Sequence, residues 1–388
     1  MYLVILTHCV FLCATYGRQS GADPGPLYTL YNDLLEHYKP YIRPRKNPND
    51  TVHVVVSYGM TSVEGLEETT QTITSSGLIR FEWADELLTW NSSDYGGIQY
   101  INIPVDKLWI PDVSLTNALE DISLILPSGD IARVNNDGQI TWFHVMKRRT
   151  KCPLDMSTFP FDTQTCNITL FQWITVITQV NMTASGICIQ SSMFQRNGEW
   201  EIIDRSMETI VHIYTSLYIQ TEIVFTFVFK RKYLYYIITN ILPVMLLSVL
   251  NLSVFLLPPE SGEKISLCVS IVLSYAVFLS VIGGSLPQVS DTVSIFSIYL
   301  LAMLFVKVAT TLLTVLVLNI YHGDTKEECS QPDPNNQHNR ALSESPERKI
   351  LKKGNKQLAK LLNKIGFAVI FSLTVILTIL CFVLLSKQ

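Results

Sequence analysis

Charge is scarce in this chain: Asp, Glu, Lys and Arg make up 16% of its 388 residues, against 48% hydrophobic ones. Basic excess is absent too. The net charge is −4, which excludes the electrostatic footprint of a nucleic-acid binder. Motifs for common chemistries are missing: no His/Cys cluster at metal-ligand spacing, no G-x-S-x-G and no phosphate-cradling glycine loop. An enzyme, a cofactor or a resident metal is therefore not expected. A composition this apolar in a chain this long calls instead for membrane spans.

The apolar residues are unevenly placed. The chain begins MYLVILTHCVFLCATYG, a short apolar run followed by Arg18. It is too short to span and reads as a cleaved signal peptide, residues 1–19; a buried strand is the alternative. Export would place residues 20–232 in an oxidising compartment. N-x-S/T triplets at Asn49, Asn91, Asn167 and Asn181 fit glycosylation there; Asn251 also fits, but it lies within an apolar span. Of the eight cysteines, Cys9 and Cys13 leave with the signal peptide, Cys268 and Cys381 fall in spans, and Cys329 falls in a polar loop. Cys152, Cys166 and Cys188 remain. An odd number leaves one thiol unpaired or bonded to another chain.

Leu27, Leu30, Tyr31, Leu34, Leu35 and Tyr38 follow Pro24 and Pro26 at helical spacing, which predicts one short amphipathic helix. From Thr51 to Lys230 come short β-rich runs such as TVHVVVSY, GQITWFHVM and EIVFTFVF, with Asn136-Asp137-Gly138 as a turn. They read as a single β-sandwich. Four apolar segments follow: Tyr233–Leu257 with Pro243, the serine-bearing Lys264–Leu286, a third from about Thr292 to Ile320, and Ile365–Leu385. Each is long enough to cross a hydrocarbon core of about 30 Å. The fold class is thus α+β membrane protein, a β-sandwich with an N-terminal helix followed by a four-helix transmembrane bundle. Residues 321–364 are polar. Their first half reads as disordered. The second half has seven basic residues, no acidic ones and an apolar stripe at Leu351, Leu358, Leu362 and Ile365. It reads as an amphipathic helix running into the last span, residues 365–388. Basic flanks mark the cytoplasmic side, so both termini lie outside a plasma membrane.

Cys152 and Cys166 enclose thirteen residues with Phe159-Pro160-Phe161-Asp162 at their centre. This resembles the signature of the Cys-loop family of pentameric ligand-gated ion channels. WADELLTWNSSDYGGI at 83–98, LWIPDVSLTN at 108–117, NGEW at 197–200 and ESGEKISL at 260–267 are similar to nicotinic acetylcholine receptor-like subunits. The resemblance implies a Cys152–Cys166 disulfide, which leaves Cys188 over. Closing such a loop stabilises by about 3 kcal/mol. It also implies a homo- or hetero-pentamer in membrane lipid, gated by a small-molecule agonist.

Ser266, Ser270, Leu273, Val277, Val281 and Gly284 recur at intervals of three and four, on one helix face. A serine stripe also suits helix–helix packing. The resemblance turns this face to a pore axis, with Glu263 as a carboxylate ring that favours monovalent cations and Leu273 as a hydrophobic gate. Lys264 would then point away, and Gly283 and Gly284 stand where an outer acidic ring is usual. Lys307 in the third span should face protein or water rather than lipid. For the agonist site, the resemblance aligns Trp173 with loop B, Tyr214 and Tyr218 with loop C, and Arg133 and Phe143 with loop E. Thr116 and Leu78 fall where relatives place aromatic rings, Gln220 replaces a loop C tyrosine, and loop C lacks a vicinal cysteine pair. So depleted a box makes acetylcholine a poor ligand. By itself Trp173 would read as core. For coupling, the resemblance pairs Arg231 with Glu68, near the Phe159-Pro160 tip and the Leu286–Asp291 linker. As bare residues they would form a surface pair worth under about 1 kcal/mol. An accessory subunit that modulates partners without a competent agonist site is the second reading.

Overall fold

The computed structural model describes residues 25–119, 124–127, 129–189, 193–259, 262–285, 293–322 and 346–386. The expected signal peptide, the Leu286–Asp291 linker, Cys329 and the Cys188 side chain lie outside that description. Helix α1 (Pro26–Leu35) begins on a proline, as its sequence predicts, and buries Leu30. Ten strands follow: β1 (Val52–Glu67), β2 (Thr72–Ala84), β3 (Tyr100–Pro104), β4 (Val113–Leu115), β5 (Ile131–Asn135), β6 (Gln139–Lys151), β7 (Thr163–Gln172), β8 (Val180–Ile189), β9 (Trp200–Ile213) and β10 (Ile219–Arg231). They form one six-stranded sheet, β3-β5-β6-β2-β1-β8, and one four-stranded sheet, β4-β7-β10-β9. All pairings are antiparallel except β1 with β8.

Several strands are longer than the short runs expected. Register shifts in β1 between Met60 and Ser62 and between Val63 and Gly65 explain how. A bulge bends and twists a long strand without ending it. Alternation along β2 buries Ile79, Phe81 and Trp83. Phe81 stacks on Trp142 of β6 at 4.9 Å between centroids. Across the two sheets Tyr58 meets Phe225 at 5.5 Å and Phe227 at 5.8 Å. Each such ring removed from water contributes roughly 1.5–3 kcal/mol. The Asn136-Asp137-Gly138 turn is also present. Gly138 sits at φ 84°, and its carbonyl accepts the Asp85 amide at 2.8 Å.

Among the described residues, four helices are long and apolar enough to cross a membrane: α2 (Leu234–Leu256), α3 (Lys264–Ser285), α4 (Ile295–His322) and α5 (Pro346–Ser386). Pro243 in α2 follows a π turn, Ile237–Ile241. A proline offers no amide to the preceding turn and crowds its carbonyl, and a wider turn relieves both. Several polar residues of the apolar helices face one another. Asn251 donates to Thr310 at 3.1 Å, and Tyr275 donates to the Leu300 carbonyl at 2.8 Å. Lys307 is buried as expected, 3.4 Å from the Ser248 hydroxyl and 4.0 Å from the Tyr275 ring centroid.

Gly77 of β2 lies against the phenol of Tyr58, and a Cβ there would overlap that ring. Tyr58 is fully buried and has no room to yield. Gly77→Ala should therefore cost about 1–3 kcal/mol, read as a drop of several degrees in the melting temperature of the purified chain. An unchanged melting temperature would contradict this packing.

Candidate functional site

Where the β domain meets the helices, Cys152 and Cys166 are bonded, with 5.0 Å between their Cα atoms. The loop they close projects Phe159 toward the membrane bundle. Its ring lies 5.1 Å from Tyr236 of α2 and 6.1 Å from Phe296 of α4. Pro160 is buried beside it, and the Ser157 carbonyl accepts the Ile295 amide at 3.1 Å. The disulfide loop is thus wedged between the tops of two apolar helices.

Arg231, the last residue of β10, is fully buried here. The surface pair expected from bare residues is instead an interior hub. Its Nε and Nη2 donate to both Asp162 oxygens at 2.8 and 3.1 Å, a bidentate fork. Nη1 donates to Glu68 at 2.7 Å, to Glu199 at 3.3 Å and to the Tyr236 hydroxyl at 3.0 Å. Trp200 stacks on the guanidinium at 4.2 Å. Burial by itself would lower the arginine pKa, but the hydrogen bonds and charges of Asp162 and Glu68 outweigh it and raise it. Glu68 and Arg231 are therefore brought together as expected. Asp162, Glu199 and Tyr236 were not foreseen as partners. The first two sit in the Phe-Pro-Phe-Asp and Asn-Gly-Glu-Trp motifs, where a carboxylate among apolar neighbours was a signal; the tyrosine offered none.

The agonist-site candidates lie on both sheets. Trp173 is half-exposed after β7, and its amide donates to the Asp112 carbonyl at 3.2 Å. Asp112 also accepts the Ile174 and Thr175 amides at 2.7 and 3.0 Å, fixing the loop that carries the tryptophan. Tyr214 and Tyr218 are exposed at the β9–β10 turn, 5.8 Å apart, and His212 stacks on Tyr214 at 6.2 Å. Gln220 is buried and donates to the Gln172 and Thr175 carbonyls and to the Tyr218 hydroxyl. It braces the face rather than lining it. Thr116 is exposed, with its amide on the Thr169 carbonyl.

Leu78 and Phe143 sit elsewhere, on the six-stranded sheet. They line a depression of about 310 Å³ with Ser57, Arg80 and Ile187. Arg133, on β5, stacks over Tyr100 at 4.7 Å. The chain itself does not join these residues to Trp173.

On α3 the candidate pore residues Ser266, Ser270, Leu273, Val277 and Val281 are all exposed, Leu273 by 64%. Lys264, Cys268, Ile271, Tyr275 and Ile282 are buried on the opposite side. Glu263 is exposed at the helix start, its carbonyl accepting the Leu267 amide at 3.0 Å. Lys264 turns inward to Asn363 of α5, away from that face. Asn49, Asn91 and Asn167 are exposed, and Asn181 is half-buried.

A β domain thus meets the apolar helices through a disulfide loop wedged against α2 and α4, with an aromatic cluster at its β9–β10 turn. Residues 27–233 match the neurotransmitter-gated ion-channel ligand binding domain, and residues 240–365 match the neurotransmitter-gated ion-channel transmembrane region. The chain belongs to the neurotransmitter-gated ion-channel family. It is 33% identical over 295 residues to the neuronal acetylcholine receptor subunit alpha-6 of Homo sapiens, covering 76% of this chain and 59% of that one. Subunit alpha-5 of Rattus norvegicus is 32% identical over 294 residues, 76% of this chain and 64% of its own. Subunit beta-3 of Gallus gallus is 31% identical over 321 residues, 81% and 70% respectively. The chain thus spans about three-fifths of the length of its alpha-6 relative. These relatives are receptor subunits, not enzymes.

Removing the guanidinium would strand Asp162, itself 1% exposed. Arg231→Gln should cost about 3–5 kcal/mol. Arg231→Lys should not restore it, because an ammonium lacks the planar fork. Glu199 is 39% exposed, so Glu199→Gln should cost under about 1 kcal/mol. Thermal unfolding of the purified variants checks the order; equal losses at Arg231 and Glu199 would refute it.

Proposed function

We propose that the chain is a subunit of a pentameric, cation-selective channel of the plasma membrane, opened by an extracellular small molecule. The observation that carries this reading is the divided surface of α3. One face packs against the subunit's own helices, while Leu273, Val277 and Val281 stay exposed above the serines. Exposed serines on a membrane helix suit water or a neighbouring helix better than lipid. Five copies would turn this face to a common axis, where Glu263 forms the carboxylate ring and Leu273 the dewetting constriction. The N-terminus, the β domain and the C-terminus lie outside the cell in this reading, and the basic start of α5 lies inside.

Agonist would bind where the Trp173, Tyr214 and Tyr218 face of one copy meets Leu78, Phe143 and Arg133 of the next. Binding opens the pore only to the extent that the agonist prefers the open state. The Arg231 hub and the Phe159 wedge then carry the movement into α2 and α4. The accessory reading is supported by the lack of rings at Thr116, Leu78 and Gln220; expression of this chain alone discriminates. Agonist-evoked current from the chain by itself would exclude it.

Two tests follow from these roles. Mass measurement of the purified chain should give a pentamer, and reversal potentials should follow monovalent cations. Glu263→Gln should weaken that preference, and a reversal potential that follows chloride in the unmodified channel would refute the selectivity. Each aromatic contact to a quaternary ammonium contributes roughly 0.5–2 kcal/mol, so the lost rings should raise the acetylcholine concentration needed by orders of magnitude. Micromolar acetylcholine binding abolished by Trp173→Ala would overturn the proposed ligand preference.

A further inference from the structure

Strand alternation decides which side chains the six-stranded sheet shows to a neighbour. Ile79, Phe81 and Trp83 of β2 point into the sandwich, so Leu78, Arg80 and Glu82 point out of it. On β6 the same rule buries Trp142 and His144 and leaves Thr141, Phe143 and Val145 outward. Arg80 lies directly opposite Ser57 on β1 and Phe143 on β6. Opposed side chains on one face start about 5 Å apart. These three therefore share the depression of about 310 Å³ described above.

Charge in that depression is of one sign. Among the described residues that line it, Arg80 is the one charged side chain; the rest are apolar, hydroxyl-bearing or glycine. Its guanidinium is loosely held. Nη2 donates to the Ser57 hydroxyl at 3.3 Å and lies 3.5 Å from a Glu82 oxygen, with the two charged side chains 41% and 34% exposed. Nε and Nη1 donate to no described residue. Arg231, by contrast, has all three of its nitrogens engaged. One strand further, Arg133 stands opposite Thr141 and adds a second guanidinium to the same face. Around the depression two arginines thus face one carboxylate.

This arrangement selects by charge. A quaternary ammonium placed here would meet a guanidinium and no carboxylate in the lining, and the thinned aromatic cluster opposite offers few ring faces to offset that. A carboxylate would take the unused Nε and Nη1 in the two-point fork that a planar guanidinium favours, and Glu82 holds Arg80 too weakly to compete. A volume of about 310 Å³ lies at the small end of ligand sites, which points to a small molecule.

We infer that the ligand of the proposed agonist site is a small carboxylic acid, and that Arg80 receives its carboxylate and sets that specificity. The inference rests on the intersubunit site proposed above. Leu78 and Phe143 flank the hydrocarbon of the acid, and Trp173, Tyr214 and Tyr218 of the neighbouring copy face its other end.

The test takes the purified full chain in detergent, sizes it by mass measurement, and then titrates it calorimetrically. The probes are butanoate, 4-aminobutanoate and 5-aminopentanoate, each against its methyl ester, which keeps the shape and removes the negative charge. At least one acid should bind tighter than its ester by about tenfold or more, and high salt should narrow that gap. Arg80→Gln should weaken the acid by about ten- to hundredfold and leave the ester unchanged or better bound. Arg80→Lys should restore only part of the gap, because an ammonium lacks the fork. Lys147→Gln, whose lysine pairs with Glu64 outside the depression, should keep the gap in full. If Arg80→Gln does not assemble, Arg80→Lys by itself should narrow the gap. Equal loss of acid and ester in the Arg80 variants overturns the inference, since it would mean a merely structural arginine. A pentamer that binds no acid better than its ester overturns this inference and leaves the channel proposal standing, whereas a monomer overturns both.

Discussion

A guanidinium with no access to water is the constraint around which this chain is organised. Arg231 stays buried only because carboxylates come to it: an unpaired interior charge costs several kcal/mol, a large share of a fold's net stability. Asp162 arrives from the disulfide loop, Glu68 from the β1–β2 turn, and Glu199 from the start of β9, while Tyr236 rises from the first turn of α2. Four segments far apart in sequence are thereby fixed to one point. The β domain and the helices meet through that point and through the Phe159 wedge beside it. Gln164 completes the arrangement, donating to Asp162 and holding the backbone of Asp155.

The bundle solves the complementary problem, polar groups in an apolar medium. Asn251 and Thr310 bond each other, Tyr275 reaches the Leu300 carbonyl, and Lys307 rests on the Tyr275 ring. With these groups turned inward, their polar atoms are satisfied within the bundle, as hydrocarbon requires. The same seam ties the inner side of α3 to α4 and α2, which leaves its serine–leucine face as the one turned outward. The proposed pore lining is in this sense the residue of packing: the side of α3 that its own subunit has no use for.

The proposed agonist face is likewise held from behind. Asp112 fixes the segment bearing Trp173, and Gln220 links the β9–β10 turn to that same segment through Thr175 and Tyr218. Tyr218 and Trp173 are thereby tied to one hydrogen-bonded segment. From there β7 leads to Cys166, and β10 leads to Arg231. The two strands pair along most of their length, so the face and the junction share one rigid ladder.

Much of this was legible in the order of residues. Apolar runs of about 20 residues had to be helices, since at 1.5 Å each they match the hydrocarbon core and no other element satisfies its own backbone there. The disulfide followed from the resemblance of the Cys152–Cys166 segment to a family signature, and the α3 face from its three-and-four spacing. Those signals are local, so sequence carries them. What sequence could not decide was which distant groups meet. Whether Arg231 sits on the surface or inside depends on Asp162, 69 residues earlier, and Glu199, 32 residues earlier. Gln220 was read as a missing aromatic, yet burial made it a brace. Lys307 was expected to face protein or water, but that Tyr275 and Ser248 would be its neighbours was not legible. A side chain's burial and partners are set by the packing of whole sheets and helices, and only the tertiary structure brings those together.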